Sequence, residues 1–266
     1  MDDLHIFVCV HDAELIVKID PQLRMVANAP FTYVLVGQRP TDLVREWPNV
    51  VVARDLPDNI EDQHKFVDFT AWYAIAKNGL GQAMSMALIQ YDTVITPKFS
   101  HKTIRKMASS PGSVLGYIPW AMSDANFLKN NMGAAPLAHS VANVYGADIY
   151  NLVAEAIASG DDTWPSANSF CLSPARLNQF VDWFVPLMPD IGNVDAAGHA
   201  LERAVKIFCL TKGIDCIYES TVAKHFQLNS HGSQDFSKDM ETRSQRRFAD
   251  ALQGSPVSRL FRRLFR

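Results

Sequence analysis

The chain of 266 residues is poor in several things, and each shortage removes a class of function. It has little net charge: 25 lysines and arginines against 28 aspartates and glutamates leave −3. That balance provides no global basic field for nucleic acid, so a charge-driven partner must be engaged locally. It has few cysteines, and the four present, Cys9, Cys171, Cys209 and Cys216, lie scattered in apolar surroundings without a C-x-x-C pair. Such spacing argues against a disulfide scaffold or a cysteine zinc site and fits buried thiols in a reducing compartment. No apolar run reaches the roughly 20 residues that cross a bilayer. The opening "MDDLHIFVCV" is acidic where a secretory leader is basic. The expectation is a cytoplasmic protein, neither integral nor exported. Internal repeats and low-complexity tracts are lacking too, and 48% hydrophobic with 20% charged residues describes an ordinary globular chain.

What is there alternates between two periods. "HIFVCV" (5–10), "FTYVLVG" (31–37) and "NVVVA" (49–53) are short apolar runs rich in β-branched and aromatic residues, as in strands covered on both faces. Between the first two, "DAELIVKIDPQLRMVAN" has helical spacing that Pro21 interrupts. The helix "DQHKFVDFTAWYAIAKN" sets Phe66, Phe69, Thr70, Tyr73 and Ala76 on one side, and the strand "AMSMALIQYD" follows. Further on come a strand in "SVLGYIPW" and helical character in the second half of "AHSVANVYGADIYNLVAEAIASG". A short strand in "WPSANSFCLS" leads to a helix opened by Pro174, and a long helix in "DAAGHALERAVKIFCLTKG" to the strand "DCIYES". This order predicts an α/β fold with a mostly parallel sheet flanked by helices. Ligands of such sheets sit at the carboxyl ends of the strands, which brings His11, Gln38 and Asp92 to one crevice.

Asp92 is the sharpest single residue. A carboxylate ending a strand can hold a hard divalent cation that keeps coordination free for phosphates; the plainer alternative is a turn aspartate before "TVITP". His199 and Glu202 stand three apart on one helix face, where Glu202 can serve as a general base or orient a hydroxyl; alternatively Glu202 is a surface residue beside Arg203. His225 and His231 flank a polar loop and are either ligands or surface histidines. Trp164, Asn168 and Trp183 offer aromatic faces and an amide suited to a sugar, although Trp183 in "QFVDWF" also fits a core position. The last residues, "SRLFRRLFR", stack Arg259, Arg262, Arg263 and Arg266 among leucines and phenylalanines, a pattern suited to an anionic membrane surface or to docking on the protein itself.

With these residues in view, "AKNGLGQAMSMALIQYDTVITP" resembles the segment of GT-A glycosyltransferases of the family 2 type in which an Arg-Asn-x-Gly helix end precedes a strand closing in a D-x-D motif. Lys77-Asn78-Gly79-Leu80 is similar to that helix end, Gln90-Tyr91-Asp92 to the motif with only its last aspartate, and Pro97 to the proline after it. "GHALERAVKIFCLTKGIDCIYES" resembles the helix bearing the catalytic acidic motif, and "TVAKH" the final strand with its metal-binding histidine. The resemblance covers residues 4–232 and implies a Rossmann-like nucleotide-diphospho-sugar transferase fold over 1–234, with 235–266 as a basic amphipathic tail. It implies Mn²⁺ or Mg²⁺ on Asp92 and His225, with His231 as alternate. It further implies nucleotide contacts from His11, Gln38, Lys77, Asn78 and Tyr91, and a base role for Glu202 or Asp195 aided by His199.

The expected activity is transfer of a sugar from a nucleotide-sugar donor to a glycan or lipid-linked acceptor at the inner face of a membrane. Trp164, Asn168 and His231 would be on the substrate side. A nucleotidyltransferase would share the sheet but carry a glycine-rich basic loop after the first strand, which "VHDAELIVKID" lacks. A glycan-binding or scaffold protein on a degenerate transferase fold is the reading that the missing aspartate favours.

Overall fold

The computed structural model describes residues 2–37, 46–81, 83–122, 127, 134–191 and 194–225. The strands are β1 (Asp2–Val10), β2 (Phe31–Leu35), β3 (Val50–Val52), β4 (Ala83–Gln90), β5 (Thr93–Ile95), β6 (Val114–Gly116), β7 (Pro119–Ala121), β8 (Thr163–Pro165), β9 (Phe170–Leu172), β10 (Cys216–Tyr218) and β11 (Ala223–His225). The α-helices are α1 (Ala13–Val26), α2 (Val67–Lys77), α3 (Phe99–Ser109), α4 (Ala134–Tyr145), α5 (Ile149–Ala158), α6 (Pro174–Phe184) and α7 (Val194–Lys212). Met1–His225 is one compact unit, and Phe226–Arg266, which contains His231 and the basic tail, lies outside the described residues.

Seven strands form the main sheet in the order β10-β6-β9-β4-β1-β2-β3. β1 runs parallel to both β2 and β4, so the chain reverses its direction of winding there, and the gap between their carboxyl ends is the switch point where such sheets bind ligands. β9 is antiparallel to β4 and β6, the exception in an otherwise parallel sheet. The apolar runs of β1 and β4 are buried on both faces because α1 and α3 cover one side and α2, α6 and α7 the other.

Aromatic packing holds that second side. Phe69 lies 4.5 Å from Phe184, and Trp72 meets Phe170 edge-on at 4.9 Å. Each fully buried ring of this kind stabilises by roughly 1.5–3 kcal/mol. Local signals start and stop the helices. Asp12 caps α1 by accepting from the Glu14 amide, Asp148 caps α5, and Ser173 caps α6 ahead of Pro174. α7 stops at Gly213, whose φ of +60° suits a residue without Cβ.

Three expectations are corrected. α1 does not break at Pro21: its buried face, Ala13, Ile16, Leu23 and Val26, spans the proline, and packing outweighs one lost helical bond. Asp20 adds support by accepting from Arg24 at 2.6 Å and from the Tyr33 hydroxyl at 3.3 Å. "SVLGYIPW" holds two strands rather than one, because Pro119 has no amide hydrogen for the ladder and β7 leaves the main sheet to pair with β8. The first half of "AHSVANVYGADIYNLVAEAIASG" is helical as well, within α4, whose small residues pack on α7.

Candidate active site

β4 ends at Gln90, and Tyr91 and Asp92 turn the chain into β5. β5 pairs antiparallel with β11, with Thr93 opposite His225, and this register delivers the imidazole to the carboxylate that precedes Thr93. Asp92 Oδ1 and His225 Nδ1 are 3.3 Å apart, with the two side chains 10% and 19% exposed. Neither atom has an aligned hydrogen-bond partner among the described residues, an arrangement that burial makes costly unless something else is bound. Burial disfavours the His225 imidazolium, but the Asp92 carboxylate beside it, with the charges of Glu202 and Asp68 beyond, outweighs burial and holds its pKa above the usual histidine value.

Behind this pair lies a buried carboxylate absent from the sequence-derived candidates. Asp68, in the first turn of α2, is 7% exposed, and its Oδ2 accepts from Gln90 Nε2 at 2.5 Å and from Asn168 Nδ2 at 2.7 Å. The Cys9 thiol is a third hydrogen-bond partner. Burial pushes the Asp68 carboxyl up from its ordinary pKa, the three hydrogen bonds pull it back, and the charge of Asp92 adds to the rise. Asn168 reaches Asp68 from a turn in which Ala167 and Asn168 both have left-handed backbone, at φ +55° and +44°. Consecutive non-glycine residues in that region cost about 1–2 kcal/mol each and persist only where the surroundings impose them. The next residue ties the turn to β5, since the Ser169 and Thr93 hydroxyls share a hydrogen bond of 2.9 Å.

α7 carries the next acidic group. Glu202 Oε2 is 3.7 Å from His199 Nδ1 and 3.6 Å from Arg203 Nη1, and Glu202 is 35% exposed. Its charge is among those that favour the protonated form of His225. Arg203 is buried, which lowers its pKa; its guanidinium donates to the Phe127 and His199 carbonyls and lies over the Trp164 ring at 5.2 Å. His11, just after β1, meets the Tyr91 ring edge-on at 4.7 Å, so both stand at the switch point.

The structure thus brings Asp92, His225, His11, Tyr91, Asn168 and Glu202 with His199 to one end of the sheet. It places others elsewhere. Lys77 and Asn78 close α2 at its far end, next to the start of β4: Lys77 pairs with Asp182 at 2.5 Å, and Asn78 accepts from the Asp58 amide while donating to the Asp58 and Ala74 carbonyls. They finish a helix there and do not face the crevice, because α2 runs back along the sheet away from Asp68. Trp164 is 1% exposed beneath Arg203 and cannot offer a face to a sugar, and Trp183 is core, stacked on Tyr145 at 5.8 Å. Asn168, also buried, spends its amide nitrogen on Asp68. Gln38, His231 and the side chain of Asp195 lie outside the described residues. Asp68 could have been noticed as the carboxylate in "FVDFTAW", where its aromatic neighbours announce a buried segment.

No family model matches the chain, and no curated protein is similar to it in sequence. Among solved structures, the apo WbbM bifunctional glycosyltransferase superposes with a TM-score of 0.50 at 14% identity, over 88% of this chain and 47% of that one. The chain therefore spans about half the length of that protein. The chain has the GT-A fold. Two more distant likenesses are glucosyl-3-phosphoglycerate synthase from Mycobacterium tuberculosis in complex with Mn²⁺, UDP and glucosyl-3-phosphoglycerate, and an active-site mutant of LgtC. The synthase gives a TM-score of 0.42 at 10% identity, over 85% of this chain and 72% of its own. LgtC gives 0.42 at 7% identity, over 90% of this chain and 95% of its own.

Within this GT-A sheet, no group of three or more His, Cys, Asp or Glu among the described residues is placed to hold a metal ion. The Asp92–His225 pair nevertheless fits one. Its two atoms without aligned partners provide an oxygen and a nitrogen ligand, and a cation so held keeps positions free for phosphate oxygens and water.

Proposed function

We propose that the protein is a glycosyltransferase that moves a sugar from a nucleotide-diphospho-sugar donor to a glycan or lipid-linked acceptor. The observation that carries this reading is the partly covered Asp92–His225 pair at the switch point of a GT-A sheet. Asp92 and His225 would hold Mn²⁺ or Mg²⁺, whose chemistry there is to neutralise the charge that develops on the departing diphosphate. His11 and Tyr91 border the nucleotide end of the crevice. Glu202 is the candidate base for the acceptor hydroxyl; at 35% exposure it is open to a substrate, and His199 beside it can orient it or accept the proton in turn.

One observation favours the non-catalytic alternative: the Arg203 guanidinium stands 3.6 Å from Glu202 Oε2 and competes with an acceptor hydroxyl for that oxygen. A glycan-binding protein on this fold would then use the crevice without transfer. Calorimetric titration of UDP in the presence of Mn²⁺ tests the cation site. Asp92→Ala should lower that affinity at least tenfold while leaving metal-free binding alone, and equal affinity in parent and variant removes the assignment. Incubation with a panel of nucleotide sugars separates the two readings, since a pure binder releases no nucleotide.

A further inference from the structure

We propose that Asp68 is the second acid of this site. It is a positioning residue that touches neither cation nor diphosphate, and its buried charge and hydrogen bonds let Asp92 and His225 bind a divalent cation without a second strand-end aspartate. The inference rests on the reading of Asp92 and His225 as cation ligands and goes beyond it in naming what completes them.

Three observations carry it. The first is connectivity. Asp68 grips Gln90, two residues before Asp92 on the same strand end, and through Asn168 it grips the turn whose next residue bonds Thr93. The segment that presents Asp92 is therefore clamped from both sides by one carboxylate. The second is the state of that carboxylate. Oδ2 accepts two amide hydrogens, and hydrogen bonds of this kind favour the ionised form against the burial that opposes it. The third is charge. The groups whose fields act on His225 are Asp92, Glu202 and Asp68, all acidic, in a region where Asp92 Oδ1, His225 Nδ1 and Asn168 Oδ1 are buried and without aligned hydrogen-bond partners among the described residues. Acidic groups gathered around ligand atoms that lack aligned partners make an arrangement that a bound cation would offset.

The strained Ala167-Asn168 turn follows from the same arrangement. In this left-handed conformation the Asn168 amide reaches Asp68, and that hydrogen bond helps offset the strain of the turn. Groups that act on a metal through its ligands commonly change affinity 10- to 100-fold when removed, so the effect of Asp68 is measurable.

The test uses the full chain and two probes, Mn²⁺ alone and UDP without metal, titrated calorimetrically at one pH and ionic strength. Asp68→Asn keeps size and removes charge. The expected result is Mn²⁺ affinity weakened about tenfold with metal-free UDP affinity equal to or tighter than that of the parent, because a negative charge near an anion site has gone. The inference is overturned if Mn²⁺ affinity stays within twofold, or if Mn²⁺ and metal-free UDP weaken alike, which is the mark of a structural role. Should Asp68→Asn not fold, Asn168→Ala releases one arm of the clamp and keeps the charge; a two- to threefold loss of Mn²⁺ affinity supports the inference, and no change overturns it. Parent protein that takes up no Mn²⁺ removes the cation reading itself. Parent protein that binds Mn²⁺ and loses it on Asp92→Ala keeps that reading whatever Asp68→Asn does.

Discussion

A carboxylate that gives up its water to reach its place leaves a mark on stability, and Asp68 is of that kind. Burial raises its pKa in the folded chain, and three hydrogen bonds only partly reverse the effect. A carboxyl that holds its proton more tightly when folded lends stability below its unfolded pKa of about 4 and withdraws it as pH rises through the folded value. Metal-free parent protein should therefore lose ground to Asp68→Asn as pH climbs from about 4 until the folded Asp68 is fully ionised. Denaturant midpoints for both proteins across that range read the difference: the gap should widen and then level off, and a gap independent of pH would show that the carboxyl titrates alike folded and unfolded. At this scale the sequence was informative where a residue ends an element. Asp92 stands in the turn after β4, and His225 closes β11. It was silent on Asp68, whose partners lie 22 and 100 residues away, a relation that only the assembled sheet creates. It misled at Lys77 and Asn78, whose spacing resembles a nucleotide-side motif but whose atoms serve an ion pair and a helix end.

Elements follow from periodicity until a close approach or a sheet change intervenes. The long apolar strands and α6 and α7 were legible because their patterns run for several repeats. The division between β6 and β7 was not, since it depends on which neighbour the backbone of "GYIPW" meets. Gly116 at the end of β6 shows the constraint. A Cβ there would stand 2.8 Å from Pro165 Cβ and 2.8 Å from Tyr218 Cε1, closer than side chains approach, and the Gly116 carbonyl already accepts from the Glu219 amide. Gly116→Ala should destabilise the chain by about 1–3 kcal/mol, the usual cost of forcing a methyl into a filled space. Equilibrium unfolding in urea measures it. A midpoint equal to that of the parent would show that Pro165 and the Tyr218 ring both give way without cost.

For the molecule as a whole, the parallel sheet, its switch point and the α/β class were all legible, because order along the chain largely dictates them. The antiparallel direction of β9 within the main sheet was not, since direction is set by a distant neighbour and not by "SFCLS" itself. The chain also carries two chemistries at separate sequence positions: acids and histidines within Met1–His225, and a basic, apolar run at its last residues. A lipid-linked acceptor would make the second useful to the first. Arg259, Arg262, Arg263 and Arg266, each worth roughly 1 kcal/mol near an anionic surface, together give about 4 kcal/mol, or nearly three decades of partitioning at low salt. Co-sedimentation with vesicles of phosphatidylserine and phosphatidylcholine should then exceed that with phosphatidylcholine alone, weaken as salt shortens the Debye length, and fall by two to three decades when all four arginines become alanine. Mn²⁺ affinity should be the same in that variant, because the substitutions leave Asp92 and His225 in place. Equal binding to neutral and anionic vesicles, or equal binding by parent and variant, would remove the membrane surface from the proposed partners and leave a soluble glycan as the acceptor to test.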